Sequence, residues 1–591
     1  MKTDPSLPAF YVKHEYAVVL FFVIIWQAVL LCASNGRFLE TDNYTHALRL
    51  MDFIQSGSWN EILYRHDNCP FGQNLHFTRI TDMFLYVMTL PFLPFMELKR
   101  AILFGGFLYN PVMACLSAVA LIWAGRAFLS PLLRVTGTFF YFANGSVLSL
   151  FLAGRPDHHV LLNLLLIIVI GCLTYGVKTQ KPAYYKTAGL FTGLSVWATP
   201  EGFLAGQFLL AGLTTAWLCR CQDIRPIRLF SQFLFISTTV CWLINPPIQG
   251  MFYADNGRLS VLMVVISGLA FATFDMEERL EKKLYIRSFP TRIGSLFFLT
   301  LTSLGITLTL FGTDSLFSFP IPKELYDIWT AHINELKSCL ENIVDSPAVI
   351  PFFVLLFGVI VYPRADEKMK KLIITNGIPL FLFLILTVMY RRFSRPASVF
   401  IVFVLWPALY VYCQDFHFSP QRFAGIKKAL VFLLFCSYSA ILFISFKNQK
   451  EIEGTRLIPK EDISRLLRKN EKGCVLIANN FGPQIAWETG NAVIGSPYHS
   501  NVQGIIDDHA FFNSTDIDHI QAILKKRLVS SIILLHSNGK INTRFTKDSL
   551  PAKLVLKNDS FCFLKQVTNL PEDIKEKYSV YHVDFLQCKN Q

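Results

Sequence analysis

Two short acidic motifs contain the first residues whose types suit chemistry. Asp42 stands in E-T-D-N-Y at 40–44 and Asp157 stands in G-R-P-D-H-H at 154–159, each a few residues after a long apolar run. Carboxylates accept protons and ligate cations. Ionisable groups at the edge of a membrane are costly to place, so those that occur there commonly serve function. The two aspartates are therefore the first candidate functional residues.

Asp42 precedes a segment with helical periodicity. Asp42, His46 and Arg49 fall on one face of that helix, at positions i, i+4 and i+7. His46 is therefore a candidate for binding substrate beside Asp42. Another face carries an apolar stripe, formed by Tyr44, Leu48, Met51 and Ile54. The alternative is an aspartate that only caps an amphipathic helix at the membrane surface.

The second motif predicts a turn, because Pro156 ends the helix before it. Arg155, His158 and His159 flank Asp157 and are candidates for binding substrate. Successive residues of a helix point about 100° apart. If a helix begins here, we expect Asp157 and one histidine, but not both histidines, to face one ion. The alternative is a charged turn that is only solvated.

Three more residues in polar segments are candidates for binding substrate. Arg79 lies in the long first loop, and Glu201 lies in the turn T-P-E-G at 199–202. Asp255 precedes the turn signal Asn256-Gly257. The alternatives are a solvated carboxylate for Glu201 and a plain turn for Asp255.

An arginine cluster follows a later apolar run and consists of Arg391, Arg392 and Arg395. The predicted topology places it on the external side, against the usual excess of basic residues on the cytoplasmic side. Guanidinium groups bind phosphate through paired hydrogen bonds. We therefore predict that the cluster binds the phosphate or pyrophosphate of a lipid-linked donor. Contact with ordinary anionic lipid is the alternative.

Long apolar segments must position these residues. The 591 residues are 52% hydrophobic and 16% charged, whereas about 25% of the residues in ordinary soluble domains are charged. An apolar run of about 17–25 residues crosses a bilayer as a helix, because lipid offers the backbone no other hydrogen-bond partner. About thirteen such runs predict a polytopic α-helical membrane protein. They lie near 16–34, 103–124, 135–152, 160–177, 185–199, 202–218, 229–246, 259–274, 294–312, 347–363, 372–390, 397–413 and 428–446.

Basic residues between these runs predict the orientation. The clusters fall on one side when the N-terminus is cytoplasmic, as the positive-inside rule requires. We expect a multi-pass protein of the bacterial inner membrane with a transmembrane domain over 1–446, a long external loop over 35–100 and a periplasmic domain over 447–591. The net charge of +13 is then a topology signal, so no nucleic-acid partner is predicted.

The tail over 447–591 has ordinary charge density and its patterns predict an α/β domain. We expect strands at Cys474–Ala478, Ala492–Gly495 and Ser531–Leu535, a helix at Ile517–Lys526, and a hairpin of Lys553–Leu556 with Phe561–Leu564. The tail lacks the glycine-rich patterns of nucleotide sites. Cys69 and Cys339 lie in predicted external loops, where an oxidising compartment allows a disulfide. Buried unpaired cysteines are the alternative.

The layout and motifs together resemble the GT-C superfamily of membrane glycosyltransferases. An acidic residue just after the first span, with a second at the next external turn, is similar to the layout of the oligosaccharyltransferase catalytic subunit. Segments 68–82, 154–159, 481–483 and 496–504 resemble a bacterial GT-C-like family. The resemblance covers most of the chain. The tail departs from oligosaccharyltransferases because it lacks W-W-D-Y-G, with which they read the sequon of an acceptor protein.

This resemblance implies an inverting glycosyltransferase. It makes Asp42 the catalytic base or a metal ligand and Asp157 the second acidic residue. The cofactor would be a divalent cation, Mg²⁺ or Mn²⁺, held by both aspartates, or there would be none. The partners would be membrane lipids, a polyprenyl-phosphate-linked sugar donor and an extracytoplasmic acceptor, which is a glycolipid, polysaccharide or protein. The alternatives are a transporter or flippase, which would show inverted repeats, and another glycan-assembly polymerase or ligase.

Overall fold

The computed structural model divides the chain into two compact units. The residues that it describes are 9–60, 63–283, 288–317, 323–330, 333–341, 346–415, 436–452, 457–467, 473–537, 540–541, 546, 548–557 and 559–586. The helical unit comprises 1–37, 77–318 and 334–451, and the sheet unit comprises 38–76, 319–333 and 452–591. The domain boundary near residue 447 stays a prediction, and residues 38–76 of the first loop belong to the sheet unit.

Helices account for most of the described chain. They are α1 Ala9–Ala33, α2 Thr41–Ser56, α3 Arg79–Thr89, α4 Leu98–Gly125, α5 Pro131–Ala143, α6 Gly145–Leu148, α7 His158–Thr179, α8 Pro182–Ala198, α9 Pro200–Leu218, α10 Arg225–Ile244, α11 Val261–Lys283, α12 Phe289–Phe311, α13 Asp314–Phe317, α14 Lys323–Thr330, α15 Val349–Val361, α16 Glu367–Met389, α17 Ser394–Asp415, α18 with described residues 436–452, α19 Lys460–Leu466, α20 Gly482–Thr489, α21 Val502–Asn513, α22 Ile517–Lys526, α23 Leu550–Leu556 and α24 Glu572–Lys575.

Seven helices among the described residues are long and apolar enough to cross a membrane. They are His14–Ala33, Leu98–Gly125, His158–Thr179, Arg225–Ile244, Phe289–Phe311, Glu367–Met389 and Arg391–Cys413. The predicted class, a polytopic α-helical membrane protein, is confirmed. The count of about thirteen spans stays a prediction, and residues 428–435 of the last predicted span lie outside the described residues.

Helix α7 lies in the core of the helical unit. Its most apolar stretch is 89% buried, whereas that of α12 is 6% buried. Helix α7 carries apolar side chains on all of its faces, as is typical of a helix enclosed by other helices. It packs against α4 and α8. Gly171 permits the close approach of α4, because a Cβ there would overlap the ring of Trp123. The second acidic motif, at the start of α7, therefore begins a buried helix.

The sheet unit is built on a mixed sheet. Its strands are β1 Cys474–Leu476, β2 Ala492–Val493, β3 Val529–Ser537, β4 Lys540–Ile541, β5 Leu564–Gln566 and β6 Tyr578–Val583. The order is β2-β1-β3-β6-β5, with β4 paired to β3. Strands β2, β1 and β3 run parallel, and β6 and β5 pair antiparallel. The α/β class of the tail, the cores of its three predicted strands and helix α22 are confirmed.

The hairpin expected over 553–564 is wrong. Residues Leu550–Leu556 form α23, which starts with Pro551 in its first turn, a position that proline favours. Leu550 and Leu554 are both buried in the core of the unit, one helical turn apart. Strand β5 pairs with β6 instead.

The first loop extends this sheet beyond β2. The backbone N–H of Val493 donates to the carbonyl of His66 at 3.0 Å, and that of Cys69 donates to the carbonyl of Val493 at 3.0 Å. Cys69 forms a disulfide with Cys474 of β1. A pairing of Cys69 with Cys339 is therefore wrong, and Cys339 is buried as a free thiol. The loop segment covers the edge of the sheet, which removes unpaired backbone groups from that edge.

Candidate functional site

A tight turn sets the direction of the second acidic motif. Gly154 has φ +72°, which favours glycine. A Cβ there would lie 2.8 Å from the carbonyl oxygen of Arg37. Asp157 is the N-cap of α7 with extended backbone, and its Oδ1 accepts a hydrogen bond from the backbone N–H of His159 at 2.9 Å. The turn thus places the Asp157 carboxylate over the positive end of a helix.

Asp157, His158 and His159 form a group that can hold a metal ion. Each offers one ligand atom, and these atoms lie within 4.8 Å of one another. Nδ1 of His159 is buried without a hydrogen-bond partner among the described residues. One carboxylate and two imidazoles suit a divalent transition metal ion, whereas Mg²⁺ prefers oxygen ligands. Of the two predicted cations, the residues therefore fit Mn²⁺ and not Mg²⁺.

The expectation that only one histidine could join Asp157 is wrong. It assumed that all three residues follow helical directions, about 100° apart. Asp157 instead precedes the helix, with φ −124° and ψ 139°. Its carboxylate consequently folds back over the first turn, and Oδ1 lies 3.4 Å from Nδ1 of His158.

Basic side chains surround the Asp157 carboxylate. Nη2 of Arg155 lies 3.4 Å from Oδ2, and both side chains are buried. Arg395 is near enough to interact electrostatically with Asp157 and His159. Burial alone would raise the pKa of Asp157, but His158, His159 and Arg155 outweigh burial and hold the pKa well below its usual range. The carboxylate is therefore ionised and available to a cation.

In the arginine cluster, Arg391 and Arg392 lie in a short 3-10 turn and Arg395 lies in the first turn of α17. Arg392 pairs with Glu201, which is buried in the first turn of α9. Arg395 donates two hydrogen bonds to Glu335, one of them 3.1 Å from Nη1 to Oε2. Burial raises the pKa of Glu335, but Arg395 outweighs it, so the net pKa lies below its usual value. Two of the three arginines thus have carboxylate partners.

These pairs and the Asp157 group belong to one charged cluster within the helical unit. Glu201 interacts electrostatically with His158 and His159 as well as with Arg392. Glu335 interacts with Arg155 as well as with Arg395. The structure therefore brings together most of the candidate residues of this unit, which are Arg155, Asp157, His158, His159, Glu201, Arg392 and Arg395. Sequence reasoning missed Glu335, which lies in a loop without a motif.

Asp42 and His46 belong to the sheet unit. Helix α2 has Glu40 as its N-cap, and the backbone N–H of Glu40 donates to Oδ1 of Asn43 at 3.0 Å. Asp42 therefore stands in the first turn and is not the capping residue. His46, one turn further along α2, is buried.

Tyr498 contacts the first turn of α2 and was missed by the sequence reasoning. Its hydroxyl lies 2.8 Å from Oγ1 of Thr45 and hydrogen-bonds to Asp42. Burial, followed by the charge of Asp42, raises the pKa of Tyr498 well above its usual value. The only signal in the sequence was the resemblance over 496–504, which gave this tyrosine no role.

Arg79 and Asp255 have contacts typical of structural residues. The backbone N–H of Arg79 donates to Oδ1 of Asn245 at 2.8 Å, and its guanidinium lies 3.5 Å from Asp82. Oδ1 of Asp255 accepts from the backbone N–H of Gly257 at 2.7 Å, the pattern of an aspartate-stabilised turn. This favours the plain-turn alternative for Asp255.

No protein-family model matches the sequence, and neither does any curated protein. Among solved structures, the chain is similar to the oligosaccharyltransferase of Archaeoglobus fulgidus tethered with an acceptor peptide containing the NVT sequon. The TM-score is 0.72 and the identity 13%, covering 96% of this chain and 81% of that one. The archaeal oligosaccharyltransferase AglB in complex with an inhibitory peptide and a dolichol-phosphate gives a TM-score of 0.68, 12% identity and the same coverage.

A third structure of the same archaeal enzyme, in complex with Zn and sulfate, gives a TM-score of 0.61 with 12% identity over 94% of this chain and 79% of that one. At these identities the similarity concerns the fold. The fold expected from the resemblance to the oligosaccharyltransferase catalytic subunit is confirmed.

Proposed function

We propose that this chain is an integral-membrane glycosyltransferase. It moves a sugar from a polyprenyl-phosphate-linked donor to an extracytoplasmic acceptor, with inversion at the anomeric carbon. The observation that carries this proposal is the ionised Asp157 with His158, His159 and Arg155 at the start of a buried span. Further support comes from the similar archaeal oligosaccharyltransferase structures, one of which contains a dolichol-phosphate and another a tethered acceptor peptide.

Arginine is suited to the leaving group of such a reaction. The phosphate gains negative charge as the glycosidic bond breaks, and fixed positive charge lowers the energy of that state. Arg392 and Arg395 supply this charge in the proposal, together with Arg391, which precedes Arg392 in the same 3-10 turn. Their present partners, Glu201 and Glu335, are carboxylates. A phosphate competes well for the same donors, because guanidinium pairs with both anions in the same geometry.

A divalent cation is proposed at Asp157 and His159, with Mn²⁺ favoured over Mg²⁺ because one of the ligands is an imidazole. Support comes from the unpartnered Nδ1 of His159 and the ionised carboxylate. When bound, such an ion adds positive charge for the leaving phosphate. Asp42 is the other proposed acidic ligand, as the alternative to its role as the base.

Asp42 is the proposed general base. Its carboxylate takes the proton of the acceptor hydroxyl while the hydroxyl oxygen bonds to the anomeric carbon, and the donor phosphate leaves with the electrons of the broken bond. Attack opposite to the leaving group inverts that carbon. His46 is proposed to bind the acceptor or the sugar. The acceptor class is a glycolipid, a polysaccharide or a protein.

The proposed location is the bacterial inner membrane, with the N-terminus cytoplasmic and the tail periplasmic. The Cys69–Cys474 disulfide supports a periplasmic sheet unit, because disulfides persist in oxidising compartments and are rare in the cytosol. The lysines and arginines between the spans support the same orientation.

Glycan analysis of cells tests the proposal. Surface glycans and glycolipids are compared in the native host with wild-type protein, with Asp42→Asn at normal expression and with the gene deleted. We expect the deletion and the point variant to lose the same sugar. A point variant that matches wild type while the deletion does not would exclude Asp42 as the base.

A second assay separates transfer from transport. The deletion strain accumulates unused donor, so its lipid extract serves as the donor probe and its envelope fraction as the acceptor probe for purified full-length protein. We expect wild type, but not Asp42→Asn, to move sugar from lipid to acceptor, followed by mass spectrometry. If wild-type protein restores the glycan in cells of the deletion strain but moves no sugar in this assay, a flippase would be favoured.

A further inference from the structure

The tail segment 496–501 is fixed on both sides of Tyr498. The indole N–H of Trp329 donates to the carbonyl of Pro497 at 2.7 Å, and the hydroxyl of Ser500 donates to Oε1 of Gln73 at 2.8 Å. The side-chain amide of Asn501 donates to the carbonyl of Ile494 at 3.0 Å. All these residues belong to the sheet unit. Their contacts leave Tyr498 little freedom to move its backbone.

The Tyr498 hydroxyl joins two residues of the first turn of α2. Asp42 and Thr45 are three residues apart, so they share a helix face. The hydroxyl lies 2.8 Å from Oγ1 of Thr45 and hydrogen-bonds to the Asp42 carboxylate. An ionised carboxylate only accepts hydrogen bonds. The hydrogen bond to Asp42 therefore takes the proton of Tyr498. The Thr45 hydroxyl lies within hydrogen-bond distance of both the phenolic oxygen, at 2.8 Å, and the carbonyl of Thr41, at 3.3 Å.

The direction of this chain of hydrogen bonds matters for Asp42. Tyr498 is 4% exposed, whereas Asp42 is only half-buried and keeps access to solvent. A buried donor that holds one carboxylate oxygen limits rotation of the group. Partners of this kind orient functional groups without touching the reacting atoms.

We propose that Tyr498 is a positioning residue for Asp42. Its hydroxyl, supported by Thr45 and carried by segment 496–501, fixes the orientation in which Asp42 meets the acceptor. The tail thereby contributes directly to the reaction centre on α2. This inference rests on the proposed role of Asp42.

The test compares Tyr498→Phe with Tyr578→Phe in the lipid-extract assay. Tyr578 is the matched control, because it is a buried tyrosine of the same unit whose hydroxyl donates to Asp462 at 3.1 Å. We expect Tyr498→Phe to lower the maximal rate per folded molecule about 10- to 100-fold, the range for residues that orient a functional ligand. The extract concentration for half-maximal rate should change less than about threefold, since binding is left intact.

Substitutions at Thr45 test the same positioning role independently. Thr45→Val removes the hydroxyl at nearly constant volume and should lower the maximal rate in the same direction, while Thr45→Ser should restore it. The double variant with Tyr498→Phe should be no worse than Tyr498→Phe alone, because the two hydroxyls act as one unit. Melting temperature and the Cys69–Cys474 disulfide, seen on non-reducing gels, report folding. If Tyr498→Phe fails to fold, the comparison of Thr45→Val with Thr45→Ser tests the proposal.

Two failures are distinguishable. If Asp42→Asn is inactive and Tyr498→Phe matches Tyr578→Phe, the positioning role is overturned and the proposed function stands. A higher half-saturating concentration with an unchanged maximal rate also overturns it, because Tyr498 would then bind substrate. If Asp42→Asn retains the wild-type rate, the role of Asp42 as the base fails, and the positioning role of Tyr498 fails with it. If wild-type protein moves no sugar, the proposed function itself fails.

Discussion

Replacing Asp157 with asparagine should abolish transfer while leaving the protein folded. Asparagine caps a helix about as well as aspartate, so the bond from the backbone N–H of His159 is retained. What disappears is the negative charge between Arg155 and His158, at 3.4 Å from each. Asp157→Asn therefore separates the structural role of this residue from its electrostatic role.

The two effects differ in size. A hydrogen bond to a charged acceptor contributes about 1.5–3 kcal/mol and one to a neutral acceptor about 1 kcal/mol. The exchange should therefore lower the free energy of unfolding by about 1–2 kcal/mol. Loss of a preorganised charge at a reaction centre lowers a rate about 10²- to 10³-fold, or roughly 3–4 kcal/mol. Activity should thus fall far more than stability.

The matched control is Asp366→Asn. Asp366 caps α16, another membrane-spanning helix, and its Oδ1 accepts from the backbone N–H of Met369 at 2.8 Å. Both variants are measured for melting temperature and for rate in the lipid-extract assay. Transfer by Asp157→Asn within threefold of wild type would refute the reasoning. An equal loss in Asp366→Asn would attribute the effect to helix capping.

Three further predictions concern other parts of the chain. Replacing Cys69 and Cys474 with serine should lower the stability of the sheet unit by about 2–4 kcal/mol, seen as a lower melting temperature. Its response to reductant should be smaller than that of wild type, and the remaining response is expected because Cys562 is also disulfide-bonded. Burial raises the pKa of Asp67 from 3.8 to about 7 despite hydrogen bonds from neighbouring side chains. A carboxyl group with a raised pKa favours the folded state at low pH, and this contribution is lost as the pH rises from about 4 through 7. Wild type should therefore melt at a lower temperature at pH 8 than at pH 5, and Asp67→Asn should flatten that slope. Arg395→Gln should raise the half-saturating concentration of lipid extract about tenfold, because one charged hydrogen bond to phosphate is lost.

Each of these has an internal control. Cys339→Ser removes a buried free thiol and should leave the response to reductant unchanged. Equal pH slopes for wild type and Asp67→Asn would contradict the assignment to that carboxyl. Glu335→Gln breaks the same ion pair as Arg395→Gln but keeps the guanidinium. If both variants raise the half-saturating concentration of lipid extract equally, the ion pair matters for structure and Arg395 does not bind the phosphate.

The sequence by itself determined the class of the fold and many of its elements, though not α23, where it predicted a strand of a hairpin. Apolar runs predicted the spans later seen as α4, α7 and α16, because a helix in lipid needs only length and hydropathy. Residues Ile517–Lys526 were predicted as a helix and form one over those same residues, since an apolar stripe and a capping aspartate at 516 are local signals. The candidate residues of the helical unit also came from local motifs, each at the end of an apolar run.

Only the tertiary structure decided which distant segments meet. The first loop extends the sheet of the tail through Cys69 and Cys474, 405 residues apart, and Tyr498 reaches the face of α2 that carries Asp42. The two-histidine arrangement at Asp157 depended on an extended residue before a helix. Local patterns report which face of a segment is buried, but the partner of that face follows from packing and hydrogen bonds summed over the whole chain. Those sums are absent from any single motif, and they bring Tyr498 to Asp42 in the sheet unit and both histidines to Asp157 in the helical unit.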